Sequence, residues 1–273
     1  MADNISGLVA GRPWLAILML ALMLAEYLRR RANYDVRGAA ASFGVALGQA
    51  FLRPVNLSLQ TFVLGSIAAL APIRLPVDDR WTWVAGFLVV DFVYYWFHRA
   101  SHQVRWLWAT HAVHHSATQM TLPAAIRLGW TGSLSMGWLI FAPVLLVGFP
   151  PTVLAAMLAL NLLYQFPLHT EAIGRLGALE WLFNTPSHHR AHHSRDEAYL
   201  DCNFGGVLIL WDRMFGTFRP EPADMALHYG LVHHEETANP VRIALGEWGR
   251  LLRAMASAGS LGAAIRLALG PPD

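Results

Sequence analysis

Charged residues are scarce in this chain. They make up 14% of its 273 residues, whereas about 25% is usual for a soluble domain. Hydrophobic residues reach 55%, and the mean hydropathy is +0.37. This composition excludes an intrinsically disordered chain and a coiled coil, and it indicates that lipid is the solvent for much of the protein.

Cysteine is nearly absent and lysine is missing altogether. The single cysteine, Cys202, cannot form an internal disulfide, and the chain has no second thiolate for a zinc site or an iron–sulfur cluster. All 20 basic residues are arginine, they form no dense basic tract, and the net charge is only +2. We therefore predict no nucleic acid partner.

Histidine is the residue that stands out against this background. The chain has 13 histidines, and ten of them lie between residues 98 and 193. Neutral imidazole is a ligand for iron, zinc, copper and nickel. The crowding of these side chains in an apolar chain is therefore the feature that a functional hypothesis must explain.

Five apolar stretches approach the length of about 20 residues that a helix needs to cross a bilayer. They cover residues 14–28, 55–73, 81–97, 130–149 and 152–168. The last two are joined only by Pro150-Pro151, which predicts an antiparallel helical hairpin. The first four residues carry no basic side chain and no small-residue cleavage site follows, so the first stretch is expected to be a signal anchor.

Arginines set the expected orientation of these segments. Arg29, Arg30, Arg31, Arg37 and Arg53 crowd the first loop, and basic residues in short loops favour the cytoplasmic side. Alternation along the chain then places every histidine in the cytoplasm. We predict an all-α fold: a polytopic membrane helical bundle of about four to five membrane segments with a cytoplasmic, histidine-rich di-metal cap.

No repeat or linker divides the chain, so residues 1–273 are predicted to form a single integral-membrane domain. Residues 241–256 have the pattern of an amphipathic helix, with Val241, Leu245 and Trp248 on one face. Two arrangements are open for this helix. It can lie in the membrane interface, or it can pack on the catalytic part.

The clustered histidines have helical spacing. Side chains three or four positions apart on a helix share a face, so one such group can present imidazoles to two neighbouring metals. The groups are His98 with His102, then His111 with His114 and His115, then His189 with His192 and His193. They predict a metal site that draws on three separate parts of the chain.

Two assignments stay open at this stage. His169 stands alone at the end of the fifth apolar segment, facing the other groups. Spacing does not choose between His188 and His189, because each has a histidine four positions later.

Carboxylates near the histidines are few. Asp91, inside an apolar segment, is functional or paired by default; the plain alternative is a packing hydrogen bond to a neighbouring tyrosine or tryptophan. Glu171, Asp196 and Glu197 lie close to the histidines in sequence. These carboxylates are expected to orient the N–H groups of the ligands or to be surface charge, rather than to bind metal.

The histidine groups resemble the boxes of the fatty acid hydroxylase superfamily, also called the sterol desaturase family. The likeness covers about residues 85–220, the expected catalytic region. It rests on His98-Arg99-Ala100-Ser101-His102, His111-Ala112-Val113-His114-His115 and Ser187-His188-His189-Arg190-Ala191-His192-His193. Within the superfamily, the spacing is most similar to the alkylglycerol monooxygenase branch and its bacterial relatives.

The resemblance implies a di-iron enzyme that uses dioxygen to hydroxylate or desaturate a lipid or sterol-like substrate. It further implies a site on the cytoplasmic face, here of a bacterial-type inner membrane. Independently of the resemblance, Asp91 and Glu171 are the carboxylates expected to support the ligands. The implied ligands are His98, His102, His111, His114, His115, His189, His192 and His193, with His169 as a ninth; His188 and His233 are further candidates.

The electrons must come from outside the chain, because it has no dinucleotide fingerprint. The expected donor is a ferredoxin-type or haem-type protein, or a reduced pterin. In purified protein, zinc can take the place of iron because it binds such sites more tightly.

Two other classes remain as alternatives. A histidine-rich membrane transporter for zinc would place its ligands near the bilayer midplane on broken helices. A zinc-dependent membrane hydrolase would leave most of these histidines without a role, and the chain has no HExxH motif.

Overall fold

The structure is a computed structural model that describes residues 13–232 and 236–272. Within these ranges the chain is helical and forms no β-strand. Two isolated β-bridges join Phe183 to Leu208 and Ser194 to Tyr229. The prediction of an all-α fold is confirmed.

Four helices make up the first part of the chain. They are α1 (Pro13–Arg30), α2 (Val36–Ala69), α3 (Arg80–Gln103) and α4 (Arg105–His115). Asp35 caps α2 by accepting a hydrogen bond from the Gly38 N–H, which satisfies one of the unpaired donors of the first turn. Val104, in an extended conformation, separates α3 from α4. Because α4 folds back against α3, their histidines meet.

The middle of the chain is broken into short pieces. They are a 3-10 helix (Leu122–Ile126), α5 (Gly132–Ser135), a second 3-10 helix (Gly137–Phe141) and α6 (Ala142–Leu146), followed by the longer α7 (Pro151–Gln165). Residues 130–149 are therefore not one helix, and the predicted hairpin is wrong in its first arm. Met136 has φ of 55° and ends α5, and Pro143 offers no N–H to an intrahelical bond.

Four helices follow in the last part. They are α8 (Pro186–His193), α9 (Leu210–Phe215), α10 (Pro240–Ala256) and α11 (Leu261–Leu269). Pro186 stands at the first position of α8, where its missing N–H costs nothing. Helix α10 packs on α4, α2 and α11. Trp248 is buried, but Val241 and Leu245, predicted on the same face, are exposed, because the buried face instead includes Ile243 and Leu251.

The main apolar core joins α2, α3, α6 and α7. Its buried members include Leu64, Val90, Tyr94, Phe141, Leu145, Leu154 and Leu158. Burial of apolar surface contributes about 25 cal/mol per Å², so this core holds α3 and α7 firmly side by side. Consequently the end of α3, which carries His98 and His102, lies next to the end of α7, which leads into His169.

One helical segment in the described ranges, Pro151–Leu168, which consists of α7 and the 3-10 helix Phe166–Leu168, is long and apolar enough to cross a membrane, with a mean hydropathy of 1.4. The number of membrane segments predicted from sequence is therefore not confirmed. Helices α2 and α3 carry buried polar side chains, including Asn56, Gln60 and Asp91. These side chains lower the mean hydropathy of both helices although they face the protein interior.

Candidate metal centre

Nine histidines converge in two adjacent groups. In each group, one ring nitrogen per residue lies within 4.8 Å of those of the other members. The first group consists of His98, His102, His111, His115 and His192, and the second of His114, His169, His189 and His193. These are the nine residues that the family resemblance implied as ligands.

Helices α4 and α8 each serve both groups. On α4, His111 and His115 are four positions apart and join the first group, whereas His114 joins the second. On α8 the assignment is reversed: His192 joins the first group, and the pair formed by His189 and His193 joins the second. A helix that carries HxxHH thus contributes to two neighbouring sites. The two histidines four positions apart share one group, and the histidine three positions after the first points slightly to the side, into the other group.

The ring nitrogens of the first group point toward a common centre. His111 Nε2 lies 3.1 Å from His98 Nε2 and 3.2 Å from His115 Nε2. His102 Nε2 and His192 Nε2 are buried without a hydrogen-bond partner. A neutral imidazole has a single N–H, so these convergent nitrogens cannot all satisfy one another.

The second group has the same arrangement. His169 Nε2 lies 3.0 Å from His114 Nε2 and 2.9 Å from His189 Nε2, and His193 Nε2 lies 3.1 Å from His189 Nε2. The rings of His115 and His193 stack across the boundary between the groups with centroids 4.3 Å apart. The two centres are therefore neighbours.

Backbone carbonyls determine which nitrogen of several rings carries the proton. A carbonyl can only accept, so an Nδ1 that bonds to one is a donor and leaves the lone pair on Nε2. The bonds are His98 Nδ1 to Phe204 O at 2.9 Å, His192 Nδ1 to Cys202 O at 2.7 Å, His169 Nδ1 to Gln165 O at 2.9 Å and His114 Nδ1 to Arg127 O at 3.3 Å. Lone pairs that converge in this way fit a metal cation in each group.

Burial keeps these histidines neutral. Desolvation, reinforced by the neighbouring imidazoles, holds the pKa well below its usual value of 6.5 for the histidines of α4 and α8 that belong to the groups: His111, His114, His115, His189, His192 and His193. Neutral imidazole is the form that binds metal. The clustered histidines therefore fit a pair of metal ions both in the placement of their nitrogens and in their neutral state.

A short loop supplies two of the carbonyls for the first group. Asp201 and Asn203 have φ of 57° and 55°, a left-handed conformation that Asn and Asp tolerate better than most residues. The amide of Asn203 donates to His188 O at 3.0 Å and accepts from the N–H of Arg219 at 2.8 Å. This conformation places the carbonyl groups of Cys202 and Phe204 within hydrogen-bond distance of the cluster.

The contact of this loop with the histidines was not predicted. A signal was present, because Asp201 and Asn203 are among the few residue types that favour positive φ, but nothing in the sequence joins them to histidines on other helices. Asp212, fully buried on α9, accepts from the N–H groups of Phe204 and Gly205 at 2.7 Å each. Burial raises the pKa of Asp212 to about 6.

Asp91 acts on the same loop and not directly on a histidine. Its carboxylate accepts from Asn161 Nδ2 at 2.8 Å, from Trp211 Nε1 at 2.9 Å, and from the N–H groups of Val207 and Leu208 at 2.9 and 3.1 Å. The packing hydrogen bond from a tryptophan, which the sequence left open as an alternative for Asp91, is thus present. Val207 lies three positions after Phe204, whose carbonyl accepts from His98 Nδ1, so Asp91 holds the backbone close to that carbonyl.

The other predicted site residues lie outside the two groups. Glu171 pairs with Arg30. His188 Nε2 lies 3.9 Å from a carboxylate oxygen of Glu180, so His189 and not His188 faces the centre. His233 falls outside the described residues.

Two cavities reach the histidines and share no lining residue. One, of about 150 Å³, is bordered by apolar side chains such as Phe141, Leu158 and Leu162. The other, of about 280 Å³, is bordered by polar side chains such as Arg105 and Asp201. The apolar cavity meets His98, His111, His114 and His169, and the polar cavity meets His102, His115, His192 and His193.

Comparison with known proteins gives consistent matches. Residues 83–217 match the model of the fatty acid hydroxylase family. The chain is 44% identical over 203 residues to alkylglycerol monooxygenase of Danio rerio, which covers 74% of this chain and 44% of the relative. It is 38% identical over 234 residues to the Homo sapiens protein of that name, covering 84% and 51%.

A bacterial relative is similar over a shorter range. The ornithine lipid hydroxylase OlsE of Rhizobium tropici is 31% identical over 157 residues, which cover 56% of this chain and 47% of the relative. The chain thus spans about half the length of the curated relatives it matches. No solved structure matches.

Proposed function

This chain belongs to the fatty acid hydroxylase family through residues 83–217, and on that premise we propose that it is a membrane lipid hydroxylase with two irons held by the nine clustered histidines. The observation that carries the proposal is the convergence of buried, neutral imidazole nitrogens in two adjacent groups. Relatives that are named as monooxygenases and lipid hydroxylases support the reaction class.

Iron is proposed over zinc for a chemical reason. Imidazole ligands accept either metal, but zinc has no redox chemistry, and an oxygenase must reduce dioxygen. When bound, the irons would supply the oxidising power needed to cleave an unactivated C–H bond. Hydroxylation is proposed over desaturation because the relatives carry hydroxylase and monooxygenase names.

The apolar cavity is the proposed substrate site. Phe141, Leu158 and Leu162 offer apolar walls. An acyl or alkyl chain held there would bring a C–H bond close to His98, His111, His114 and His169. The same walls exclude water from the reacting carbon, which strengthens the electrostatic interactions within the site.

The polar cavity is the proposed access for electrons. It reaches a different set of histidines, including His102 and His192, and it is lined by charged side chains such as Arg195 and Arg250. Substrate and reductant can then approach the centre without competing for one space. The donor is a separate ferredoxin-type or haem-type protein, or a reduced pterin.

The proposed location is a membrane, with the histidines on the cytoplasmic side of a bacterial-type inner membrane. The apolar helix over residues 151–168 supports insertion. Large exposed apolar side chains on α1 and α2, such as Trp14 (57% exposed), Phe51 (77%) and Phe62 (74%), provide a surface suited to lipid. The cytoplasmic orientation rests on Arg29 and Arg30 at the end of α1 and on Arg31 just after it, since Arg37 and Arg53, predicted in the first loop, lie within α2.

The experiment is to purify the full chain in detergent, measure bound metal, reconstitute it anaerobically with Fe²⁺, and add a reductant and lipid. We expect about two irons per chain and oxygen uptake coupled to a hydroxylated lipid. Zinc-only binding after iron reconstitution, together with zinc flux in liposomes or lipid hydrolysis, would overturn the proposal in favour of a transporter or a hydrolase.

A further inference from the structure

Helix α1 lies outside residues 83–217, yet it carries one deeply buried carboxylate. Glu26 is 4% exposed, whereas Leu24 and Leu28 on the same helix are 56% and 61% exposed. A buried carboxylate is costly unless it is hydrogen-bonded. The position of Glu26 therefore calls for an account of its partners.

Both oxygens of Glu26 accept hydrogen bonds from loops near the histidines. One oxygen accepts from the N–H of Leu122 at 2.8 Å, and the other from the hydroxyl of Thr170. Thr170 is 3% exposed and directly follows His169, a member of the second histidine group. Glu26 is thus one residue removed from a proposed metal ligand.

A second residue of α1, Arg30, contacts the same two segments, near Leu122 and Thr170. Arg30, one turn beyond Glu26, donates to Met120 O at 3.2 Å and pairs with Glu171. On the other side of the loop, Arg190 donates to the Thr170 carbonyl at 2.8 Å. The segment after His169 is therefore held between α1 and the ligand helix α8.

His169 needs such support more than its partners do. Eight of the nine clustered histidines lie within α-helices, where the backbone is fixed by intrahelical hydrogen bonds. His169 instead follows the 3-10 helix Phe166–Leu168, with φ of −82° and ψ of 60°. Its ring is oriented by the bond to Gln165 O, but the chain on its C-terminal side has no helix to hold it.

We propose that Glu26 is a positioning residue for the second histidine group, acting through Thr170 to hold His169 in place. The inference rests on the proposed two-metal function. Loss of an outer partner of a ligand lowers metal affinity by about 10-fold to 100-fold. Because His169 belongs only to the second group, the effect falls on one metal and spares the other.

The test is a Co²⁺ titration of the purified full chain in detergent against a competing chelator, with visible absorption as the readout. The variants are Glu26→Ala, Thr170→Val and the two combined. We expect the second Co²⁺ to bind about tenfold more weakly and the first to be unchanged. The combination should be little worse than the stronger single change, because both changes remove the hydrogen bond between Thr170 and Glu26.

Two conservative variants serve as controls. Thr170→Ser keeps the hydroxyl donor, and Glu26→Gln keeps an acceptor for the Leu122 N–H and a polar group facing Thr170. Both should bind two Co²⁺ nearly as the unchanged protein does. Thermal unfolding of each metal-free variant identifies those that fail to fold, and Thr170→Val, which is nearly isosteric, keeps the test usable if Glu26→Ala unfolds.

The outcomes separate this inference from the proposed function. If the unchanged protein binds fewer than two Co²⁺, the two-metal proposal fails. If it binds two, but the folded variants either weaken both sites equally or leave both unchanged, only the role of Glu26 is overturned.

Discussion

The two histidine groups are built in different ways. The first group has five members, and the two carbonyls that orient His98 and His192 come from one short loop, at Phe204 and Cys202. The second group has four members, and its supporting carbonyls come from Arg127 and Gln165, which belong to separate parts of the chain. The first group is thus oriented by one local segment of the chain, whereas the second is oriented by segments that are far apart in sequence.

The difference predicts where each group is vulnerable. The first group depends on how one loop is folded and on the carboxylates that hold it, Asp91 and Asp212. The second depends on how α1, the loop at residues 120–127 and the end of α7 come together. Substitutions in the loop should therefore weaken binding of the first metal, and substitutions where α1, residues 120–127 and the end of α7 meet should weaken binding of the second.

The largest effects are expected from removing a member of either group. His192→Ala takes a ring nitrogen from the first group and His189→Ala takes one from the second. Each should reduce bound metal from about two per chain to about one and abolish lipid hydroxylation, because both centres are proposed to act together. Metal analysis and product formation measure the two effects.

His188→Ala is the matched control, since His188 neighbours His189 on α8 but lies outside both groups. It should keep both metals. Loss of metal in His188→Ala with retention in His189→Ala would reverse the assignment of the two neighbours.

Asp91→Asn should have the next largest effect. The carboxylate accepts four hydrogen bonds from buried donors, and an amide has only one oxygen and brings an N–H against those donors. We expect a loss of about 3 kcal/mol in the free energy of unfolding and weaker metal binding at the first group. Chemical denaturation and Co²⁺ titration measure these quantities.

Asp79→Asn makes the same chemical change at an exposed helix cap, where Asn serves as well as Asp. It should alter stability by less than about 0.5 kcal/mol. If Asp91→Asn weakened the second metal more than the first, the loop could not be the route by which Asp91 acts.

A smaller effect is expected from Asn203→Ala. The change removes the side-chain hydrogen bonds to His188 O and the Arg219 N–H. Alanine also tolerates positive φ less well than asparagine does. The first metal should bind about tenfold more weakly, and the second should be unaffected.

Asn203→Gly separates the two causes, because glycine accepts φ of 55° without strain but makes no side-chain bonds. A Co²⁺ affinity close to that of the unchanged protein would attribute the effect to the backbone. An unchanged first site in Asn203→Ala would contradict the dependence of that group on the loop.

The smallest effect on metal is expected at the apolar cavity. Leu162→Trp adds bulk to the wall of the apolar cavity, and Leu162 makes none of the hydrogen bonds that orient the histidines. Metal binding should stay the same at both groups, while kcat/KM for a long-chain lipid falls by roughly tenfold through steric exclusion. Lost metal in this variant would mean that the cavity wall also positions the histidines.

Much of the centre was predictable because helical periodicity is local. The pairs His111 with His115 and His189 with His193 were visible as residues four apart, and the structure divides them between the groups as that spacing allows. The choice between His188 and His189 was not predictable, since both have a histidine four positions later. Only the packing of α8 against Glu180 and Phe218 separates them.

The membrane segments were harder to predict for a related reason. Hydropathy averages over a stretch and does not register which side chains face inward. Asn56 and Gln60 on α2 are buried and donate hydrogen bonds to the Trp130 carbonyl and to the Ser133 hydroxyl of α5. The break at Met136 depends on a single backbone conformation that an apolar sequence does not announce.

By itself, the sequence determined that the protein is helical and apolar, and that it carries histidines at helical spacing in three boxes. Those properties follow from composition and from contacts between residues a few positions apart. The tertiary structure alone decided how the boxes divide into two groups and which carbonyls orient them. It also decided that Glu26 contacts Thr170, the residue after His169, although Glu26 lies 143 positions before His169 in the chain. Such pairings depend on the packing of distant elements, and no local pattern encodes them.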